Sequence, residues 1–409
     1  MSAKAVREYH GKKLLAKFIE EVSKGEICIE KRAALITSET DLDSLKENEP
    51  WLIDSKLVVK PDQLIKRRGK AGLVGINLTI DEVWDWIQQR MEKEIQVEHA
   101  VGVLDHFIVE PFVPHEPSDE YYVCIQSHRE GEEILFCSDG GVDVGDVDAK
   151  ASRLSVKIDA ELSNKDILSF VSKGIPPERI PKLSSFIQSL LQVYRLLNFT
   201  YMEINPIVFT TDGNVVPLDL AAKIDETAAF LNSSQWGHLD LPAPFGRKEF
   251  PEEAYIRELD SKTGASLKLT ILNHSGRIWT MVAGGGASVV YADTISDLGY
   301  GQELANYGEY SGAPSTEHTF EYAKTILNLM TREKNPKGKI LIIGGGIANF
   351  TDVAATFTGL IKAITNYQDI LKSHHVSITI MFTINFLFHQ KTDISCFYFA
   401  FFFLLLFKN

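Results

Sequence analysis

The stretch from Ile340 to Phe357 reads Ile-Leu-Ile-Ile-Gly-Gly-Gly-Ile-Ala-Asn-Phe-Thr-Asp-Val-Ala-Ala-Thr-Phe. Its apolar start, three glycines and helical continuation predict a buried strand that breaks at the glycines and then opens a helix. Glycine lets the backbone approach a ligand closely, and either Asn349 or Thr351 is suited to cap the helix. Because the unpaired N–H groups of a first helical turn attract phosphate or carboxylate, the turn is predicted to bind an anion.

The composition is that of a globular chain of two or three packed domains, with 409 residues, 44% of them hydrophobic and 24% charged. A formal net charge of -13 argues against general binding to nucleic acid or anionic membranes, although an acidic protein can carry local basic pockets. The four cysteines are too scattered for a zinc site or a disulfide framework, which favours a reducing compartment. The N-terminus lacks the apolar core of a secretory signal, so we expect a cytoplasmic protein.

The first half of the chain alternates between strand-like and helix-like segments. Strand-like runs over Leu57–Lys60 and Gly72–Leu78, on both sides of a basic loop, predict a hairpin with a charged tip. An apolar strand from Phe107 to Val113 contains Pro111, which cannot donate to a ladder and so marks an edge, bend or hinge. Further elements are predicted as a helix over 180–197 and strands over 199–209 and 215–220.

The second half has a regular alternation of strand and helix. Three prolines within 240–253 indicate a linker, and we place the domain boundary near residue 245. A strand over 277–283 then ends in Gly284-Gly285-Gly286, a helix follows over 320–330, and the strand at Ile340 comes next. This order predicts a parallel sheet with right-handed crossovers. Both triple-glycine turns should lie at the carboxyl ends of the strands, where they flank one ligand site.

Candidate phosphate and magnesium ligands occur in the first half. Lys60, beside an apolar strand, and Arg68-Gly69, in a basic loop, are suited to hold nucleotide phosphates under a mobile lid; alone, such a loop is more often a solvated charged surface. Asn205 and Asp219 supply an amide oxygen and a carboxylate on neighbouring strands, which are the hard ligands that magnesium prefers. Taken together and in this order, these residues predict a magnesium–nucleotide site.

Six runs of sequence resemble the ATP-citrate lyase family. They are Val59–Lys70, Glu110–His115, Gly140–Asp148, Gly264–Thr270, Arg277–Ser288 and Glu309–Pro314. The resemblance runs from the N-terminus to Ile378, is closest to the single-chain animal type, and also covers the separate A subunit of plants. It implies an α/β and α+β multidomain fold with an ATP-grasp domain over 1–245. A citrate-binding parallel α/β domain, similar to part of the succinyl-CoA synthetase β subunit, follows over 246–378, and 379–409 is an apolar low-complexity tail.

The resemblance also implies individual site residues. Those expected to contact ATP are Lys60, Arg68 and Gly69 for the phosphates and Pro111, Val113 and Glu120 for adenine and ribose. Those expected to bind metal are Asn205 and Asp219 for Mg²⁺, and Asp260, Thr263 and the backbone of Ala265 at a further position, where Thr263 replaces a serine. Those expected at the citrate site are Gly312, Asn349, Thr351 and Tyr367, with Ser311 and Phe350 beside them.

The chain departs from the family after Ile378, where a double-arginine, double-glycine run is expected. It reads Thr379-Ile-Met-Phe-Thr-Ile-Asn-Phe386 instead, so Phe382 stands where a citrate-binding arginine is expected. The apolar run 396–407 is shorter than the ~20 residues that span a bilayer as a helix. We interpret the tail as translated noncoding sequence or a truncated gene model rather than as a membrane span or a folded replacement.

The family reaction converts citrate, CoA and ATP to acetyl-CoA, oxaloacetate, ADP and phosphate through a phosphohistidine. The resemblance places that histidine and a citrate-synthase-like domain in segments that this sequence lacks, so turnover is expected to need them in cis or in trans. No catalytic residue is assigned here, and His115 and His128 are interpreted as ordinary surface or strand residues. Two alternatives remain, a noncatalytic fragment that binds nucleotide or partner subunits and an acid–thiol ligase similar to a succinyl-CoA synthetase β chain.

Overall fold

The computed structural model describes residues 3–98, 100–141, 147–158, 160–171, 174–210, 214–247, 249–347, 351–384 and 401–404. The chain divides into two compact units, Met1–Lys248 and Glu249–Asn409. The division falls inside the proline-rich segment 240–253, and the second unit starts close to the helix that begins at Pro251. The mixed α/β, multidomain fold predicted from the sequence is confirmed.

Unit one contains thirteen strands and eight α-helices within its described residues. The strands are β1 (Ala3–Val6), β2 (Ala34–Thr37), β3 (Leu57–Pro61), β4 (Gly75–Leu78), β5 (Glu94–Val97), β6 (Ala100–Val103), β7 (His106–Pro111), β8 (Glu120–His128), β9 (Gly131–Cys137), β10 (Ser152–Lys157), β11 (Phe199–Phe209), β12 (Val215–Pro217) and β13 (Leu220–Asp225). The helices are α1 (Glu8–Val22), α2 (Leu42–Asn48), α3 (Trp51–Asp54), α4 (Ile80–Gln88), α5 (Val147–Lys150), α6 (Asn164–Val171), α7 (Ile180–Leu196) and α8 (Ala229–Trp236).

Two antiparallel sheets form the framework of unit one. The larger has the order β1-β13-β11-β8-β9-β10 with β12 paired to β11, and the smaller has the order β2-β7-β3-β4. Helices α1 and α7 bury apolar residues at helical spacing in the core of the larger sheet, including Leu15, Ile19, Phe186 and Leu190. The predicted helix over 180–197 and the predicted strand over 199–209 are therefore confirmed.

Three details of unit one differ from the sequence predictions. The hairpin strand β4 begins at Gly75 rather than Gly72, because Gly72 N–H and Leu73 N–H close a turn by donating to residues 69 and 68. The predicted strand over 215–220 is two strands, since Leu218 N–H donates to the Pro206 carbonyl and the chain turns there. Pro111 ends β7, which lies between β2 and β3, so it marks the end of an interior strand.

Unit two combines a mainly parallel sheet with helices. Its elements are α9 (Pro251–Ser261), β14 (Ser266–Ile271), β15 (Ile278–Ala283), α10 (Gly285–Ile295), β16 (Asn306–Ser311), α11 (Thr316–Thr331), β17 (Lys339–Ile347), α12 (Val353–Asn366), α13 (Gln368–Ser373), β18 (Val376–Ile384) and β19 (Phe401–Leu404). The sheet order is β15-β17-β18-β19, and the first three strands are parallel, as predicted. Strands β14 and β16 form a separate antiparallel pair. No helix within the described ranges has the length and apolarity needed to cross a bilayer.

The glycine stretch differs from its prediction in two respects. Strand β17 does not break at the glycines but continues through them to Ile347. Gly345 has φ +116°, and a Cβ atom there would collide with the Ala283 carbonyl, so the close pairing of β17 with β15 requires glycine. The helix cap is neither Asn349 nor Thr351 but Asp352, whose Oδ1 accepts from Ala355 N–H at 2.9 Å. Asn349 itself lies outside the described residues.

The segment after Ile378 enters the sheet, contrary to the interpretation of the whole tail as unfolded. Residues 379–384 continue β18 and pair in parallel with β17 as far as Ile347. Strand β19 then pairs antiparallel with residues 380–383. β-branched and aromatic residues suit a strand that covers the edge of β17. Residues 385–400 and 405–409 lie outside the described part of the chain.

Candidate functional site

Three buried cations converge on one carboxylate in unit one. Lys60 Nζ, at the end of β3, lies 2.7 Å from Glu8 Oε1, and Lys12 Nζ lies 2.8 Å from the same oxygen. Arg68, in the basic loop, donates to Glu8 Oε2 at 2.6 Å. None of the four side chains is more than 6% exposed, so these charges are compensated by one another rather than by water.

The electrostatics keep Glu8 and Arg68 ionised. Burial alone would raise the pKa of Glu8, but the charges of Arg68, Lys12 and Lys60 outweigh it and hold that pKa well below its usual value. Burial would lower the pKa of Arg68, yet Asp219 and Glu8 raise it above its ordinary value. Arg68 therefore stays protonated and Glu8 stays anionic near neutral pH.

The same cations reach the predicted magnesium ligand. Arg68 donates to Asp219 Oδ1 at 2.6 Å and to the Pro61 carbonyl at 2.7 Å. Lys60 and Lys12 both donate to the carbonyl oxygen of Leu218, the residue before Asp219. The Asp219 side chain is 43% exposed. The structure thus brings the predicted phosphate ligands and a predicted metal ligand together at the turn between β12 and β13.

Asp62 fixes the position of Glu8 from a distant point in the chain. Arg7, at the start of α1, provides no side-chain cap. Instead Asp62 Oδ1 accepts from Glu8 N–H at 2.7 Å, and Asp62 Oδ2 accepts from Tyr9 N–H at 3.1 Å. Burial, followed by the nearby charge of Glu8, raises the pKa of Asp62 to about 6. Asp62 therefore caps α1 and links it to the end of β3.

Asn205 and Asp219 are neighbours, as the sequence predicts. Asn205 N–H donates to the Asp219 carbonyl at 3.1 Å, and the Asn205 Oδ1 atom accepts from Gly141 N–H at 2.8 Å. An amide oxygen and a half-exposed carboxylate are suitable hard ligands for Mg²⁺, with phosphate and water oxygens to complete the shell. The oxygen donors of Asn205 and Asp219 fit this ion. To bind it, Asp219 would have to release its hydrogen bond from Arg68.

The residues expected around adenine and ribose lie on both sides of a short connection. Pro111 ends β7, and Val113 follows it. Glu120 begins β8, and its side chain lies against Gly141, where a Cβ atom would collide with Glu120 Oε2. Gly69 lies in the basic loop, where its carbonyl accepts from Gly72 N–H at 3.1 Å. Glu120 and Asn205 therefore meet at Gly141.

Sequence reasoning missed Glu8, Lys12 and Glu110 as site residues. Lys12 Nζ lies 2.7 and 2.9 Å from the two carboxylate oxygens of Glu110. The pair Glu8 and Lys12 has the i, i+4 spacing of an ordinary surface ion pair, so its burial leaves no distinct signal in the sequence. Glu110 begins one of the runs that resemble the family, but the sequence did not indicate a role for it.

The side chains at the further metal position in unit two bond to other groups of the protein. Asp260 Oδ1 accepts from Leu267 N–H at 2.7 Å, and its other oxygen pairs with Lys268. Thr263 Oγ1 accepts from Ala265 N–H at 3.1 Å. Within the described ranges no group of three or more His, Cys, Asp or Glu side chains is placed to hold a metal. Asp260 and Thr263 are thus engaged with other groups of the protein, and the further metal position stays a prediction.

The two glycine turns of unit two lie side by side. Ala283, which precedes Gly284, is opposite Gly345 in the β15–β17 register. The Glu309 carboxylate occupies the start of α10, 2.8 Å from where a Cβ atom of Gly285 would lie, and it accepts from Ser266 Oγ at 2.8 Å and Ser311 Oγ at 3.2 Å. The first turn thus already holds a carboxylate of the protein itself.

The predicted citrate residues are only partly brought together. Ser311 ends β16 and Gly312 follows it, while Thr351 lies just before the cap of α12. Tyr367 lies at the opposite end of α12, a 14-residue helix about 20 Å long, and so is far from Thr351. Asn349 and Phe350 lie outside the described residues. The backbone of Phe382 is opposite Gly345 in the β17–β18 register.

Two antiparallel sheets around buried lysine and arginine, with an Asn–Asp pair at the strand ends, define unit one as an ATP-grasp domain. The family description "ATP-citrate synthase ATP-grasp domain" matches residues 2–236, and "ATP citrate lyase citrate-binding" matches residues 247–383. The second match extends beyond Ile378, where the sequence resemblance was taken to end. The chain belongs to the ATP-citrate synthase family.

Relatives of known identity agree with this family. The chain is 58% identical to "ATP-citrate synthase" of Homo sapiens over 92% of its own length and 34% of that relative's length. It is 47% identical to "Probable ATP-citrate synthase subunit 2" of Schizosaccharomyces pombe, over 92% of this chain and 89% of that one. It also matches the solved structure of ATP citrate lyase from Methanothrix soehngenii in complex with citrate and coenzyme A, with TM-score 0.83, 45% identity and coverage of 93% and 90%. The chain spans about a third of the human relative.

Proposed function

We propose that this chain is the ATP- and citrate-binding portion of an ATP-citrate lyase, which makes acetyl-CoA and oxaloacetate from citrate, CoA and ATP. The nucleotide half of this proposal is carried by Arg68, which bonds Asp219, and by Lys60, which bonds the carbonyl of the preceding Leu218. Because the chain spans 34% of the human relative, we assign the phosphohistidine and cleavage steps to further lyase segments, in cis or in trans. The matches to an ATP-grasp domain and a citrate-binding domain support assigning nucleotide and citrate binding to this chain.

In the proposed nucleotide site, Lys60 and Arg68 bind the phosphates and Glu8 holds both cations in place. Asn205 and Asp219 bind Mg²⁺, which neutralises charge that develops during phosphoryl transfer. Arg68 then exchanges its bond to Asp219 for a phosphate oxygen, which frees that carboxylate for the metal. Adenine lies along the Pro111–Val113 segment, and Glu120 accepts from the ribose hydroxyls.

In the proposed citrate site, the donors are the Ser311–Gly312 turn, Thr351 and the N-terminus of α12. Glu309, at the start of α10, would repel a carboxylate from the first glycine turn, so we place citrate at the β17–α12 turn. The family match to a citrate-binding domain supports this assignment. Because Phe382 stands where an arginine is expected, we infer weak citrate binding.

A noncatalytic binding fragment is the second candidate, and Phe382 opposite Gly345 is the observation that favours it. The family matches favour ATP-citrate lyase over a succinyl-CoA synthetase β chain. We place the protein in the cytoplasm, with citrate and CoA as substrates, and without nucleic acid or a membrane as partner.

ATP–ADP isotope exchange, measured with and without the remaining lyase segments of a relative, tests the enzymatic proposal. We expect exchange only after complementation, and its loss in Arg68→Gln. No exchange after complementation would support the noncatalytic fragment.

Citrate binding, measured by calorimetry, tests the second site. There Phe382→Arg should increase the affinity for citrate about tenfold, as one charge-assisted hydrogen bond can. Equal citrate affinity of the two proteins would contradict the assignment.

A further inference from the structure

We propose that His115 is a positioning residue of the nucleotide site, which holds Glu120 in place to bind the ribose. This inference rests on the proposed roles of Val113 and Glu120 in nucleotide binding. His115 was interpreted from the sequence as an ordinary surface or strand residue. Its contacts indicate a more specific role, because it contacts both Val113, on the proposed adenine side, and Glu120, on the proposed ribose side.

The imidazole of His115 bridges two acceptors. Its Nδ1 lies 2.7 Å from the Val113 carbonyl oxygen, and its Nε2 lies 3.1 Å from Glu120 Oε1. The side chain is only 19% exposed. Both partners are oxygen atoms that accept hydrogen bonds, so a ring nitrogen that carries a proton has an acceptor in place on either side.

Charged residues also flank this contact. Asp119 lies next to Glu120, and its pKa is lowered first by a hydrogen bond from Arg179 and, among further causes, by the charge of His115. Arg179 donates to Asp119 Oδ1 at 2.7 Å and to the Tyr121 hydroxyl at 2.7 Å. Arg179 is thus engaged with Asp119, while His115 is engaged with Glu120.

The second oxygen of Glu120 is placed by Gly141. Gly141 has φ +93°, and Glu120 Oε2 fills the space that a side chain there would need. The Gly140 N–H also donates to the Glu120 carbonyl at 2.8 Å. The carboxylate is therefore held on one side by His115 and lies against glycine on the other. Without His115, the Glu120 side chain could rotate away, and the ribose hydroxyls would lose a prepositioned acceptor.

Two nucleotides that differ only in the ribose hydroxyls test this role. Calorimetry on the full chain would measure the dissociation constants of ATP and 2′,3′-dideoxy-ATP in the presence of Mg²⁺. We expect His115→Ala to weaken ATP binding about tenfold and to change dideoxy-ATP binding by less than about twofold, since only ATP can use Glu120. An equal loss for both nucleotides, or no loss, would overturn the proposal.

Two near-isosteric variants separate the two bonds of the ring. Asparagine places an N–H near the Nδ1 position, and glutamine places one near the Nε2 position. We expect His115→Gln to retain most of the preference for ATP over dideoxy-ATP, and His115→Asn to lose it. The reverse ranking of the two variants would contradict the proposal.

A double-mutant cycle with Glu120→Gln adds a test of coupling. If His115 acts through Glu120, the double variant should lose no more ATP affinity than Glu120→Gln alone. Fully additive losses of ATP affinity would contradict this inference while leaving the proposed function intact. If the wild type binds ATP no better than Arg68→Gln does, the proposed nucleotide site fails, and this inference fails with it.

Discussion

Arg68 donates a hydrogen bond to Asp219 at 2.6 Å, which joins a proposed phosphate ligand directly to a proposed magnesium ligand. Arg68 also bonds Glu8, so the guanidinium is held even when Asp219 leaves it. Metal binding at Asp219 and phosphate binding at Arg68 are therefore expected to be coupled, since each needs the bond between the two residues to break.

The first prediction concerns this coupling. Asp219→Asn removes one charge from the metal site, so it should weaken Mg²⁺–ATP binding at least about tenfold, whereas metal-free ATP binding should not weaken because Arg68 loses a competing carboxylate. Calorimetry with Mg²⁺ and with EDTA measures both values. The exposed Asp85→Asn, on α4, is the matched control and should behave as the wild type. An equal effect with and without Mg²⁺ would show that Asp219 is not a metal ligand.

The second prediction concerns the centre of the buried cluster. Glu8→Gln leaves Lys12, Lys60 and Arg68 with one carboxylate fewer, and breaking a buried ion pair in this way costs about 3–5 kcal/mol. Urea unfolding should show this loss of stability. Glu21→Gln, exposed on the same helix, should change the free energy of unfolding by less than about 0.5 kcal/mol. If Glu8→Gln also changes the free energy of unfolding by less than about 0.5 kcal/mol, the cluster does not stabilise the fold.

The third prediction is a pH dependence from Asp62. Its pKa is raised from 3.8 to about 6, so the folded state binds this proton more tightly than the unfolded state does. The stabilisation is complete below about pH 4 and is lost as the pH rises to about 6, by at most about 3 kcal/mol at ~1.36 kcal/mol per pH unit. Asp62→Asn cannot titrate, so its stability relative to the wild type should increase across this window. Urea unfolding between pH 4 and 7 measures the difference, and parallel curves would refute it.

Glu8 should give the opposite pH dependence. Its folded-state pKa is depressed, so its stabilisation is present above its unfolded value near 4.5 and is lost as the pH falls through the folded value. The two signs allow Asp62 and Glu8 to be distinguished in one titration series with the variants Asp62→Asn and Glu8→Gln.

The fourth prediction concerns the start of α12. Asp352→Ala removes the side chain that accepts from Ala355 N–H, so it should destabilise unit two by about 1 kcal/mol. Thr351→Val should change stability by less than about 0.5 kcal/mol, because Thr351 is not the cap. Thermal unfolding of both variants tests this. A larger loss of stability in Thr351→Val than in Asp352→Ala would identify Thr351 as the helix cap, as the sequence predicted.

The sequence predicted those elements whose stability depends on local pattern. The run Leu57–Pro61 and the helix from Ile180 have apolar spacing that matches the faces they bury. The turn at Leu218 was not predicted, because it depends on a hydrogen bond to Pro206 from another strand. The capping of α1 by Asp62 was missed for the same reason, since 54 residues separate Asp62 from Glu8.

The site residues also divide into those that residue type and order predicted and those that depend on tertiary contacts. Lys60, Arg68, Asn205 and Asp219 were found because their types and order suit phosphate and magnesium, and the structure brings Lys60, Arg68 and Asp219 together. The citrate assignment was less complete, since Thr351 and Tyr367 lie at opposite ends of a helix that the sequence predicted without its cap. Their contacts depend on tertiary placement, which residue pattern alone does not give.

The charges around Glu8 have a consequence for how nucleotide reaches the protein. Lys12, Lys60 and Arg68 are matched in number by the carboxylates Glu8, Glu110 and Asp219, so the cluster presents no excess positive charge to the surrounding water. A site of this kind does not attract anions over long distances. The cluster itself is therefore expected to contribute little to the ionic-strength dependence of ATP association.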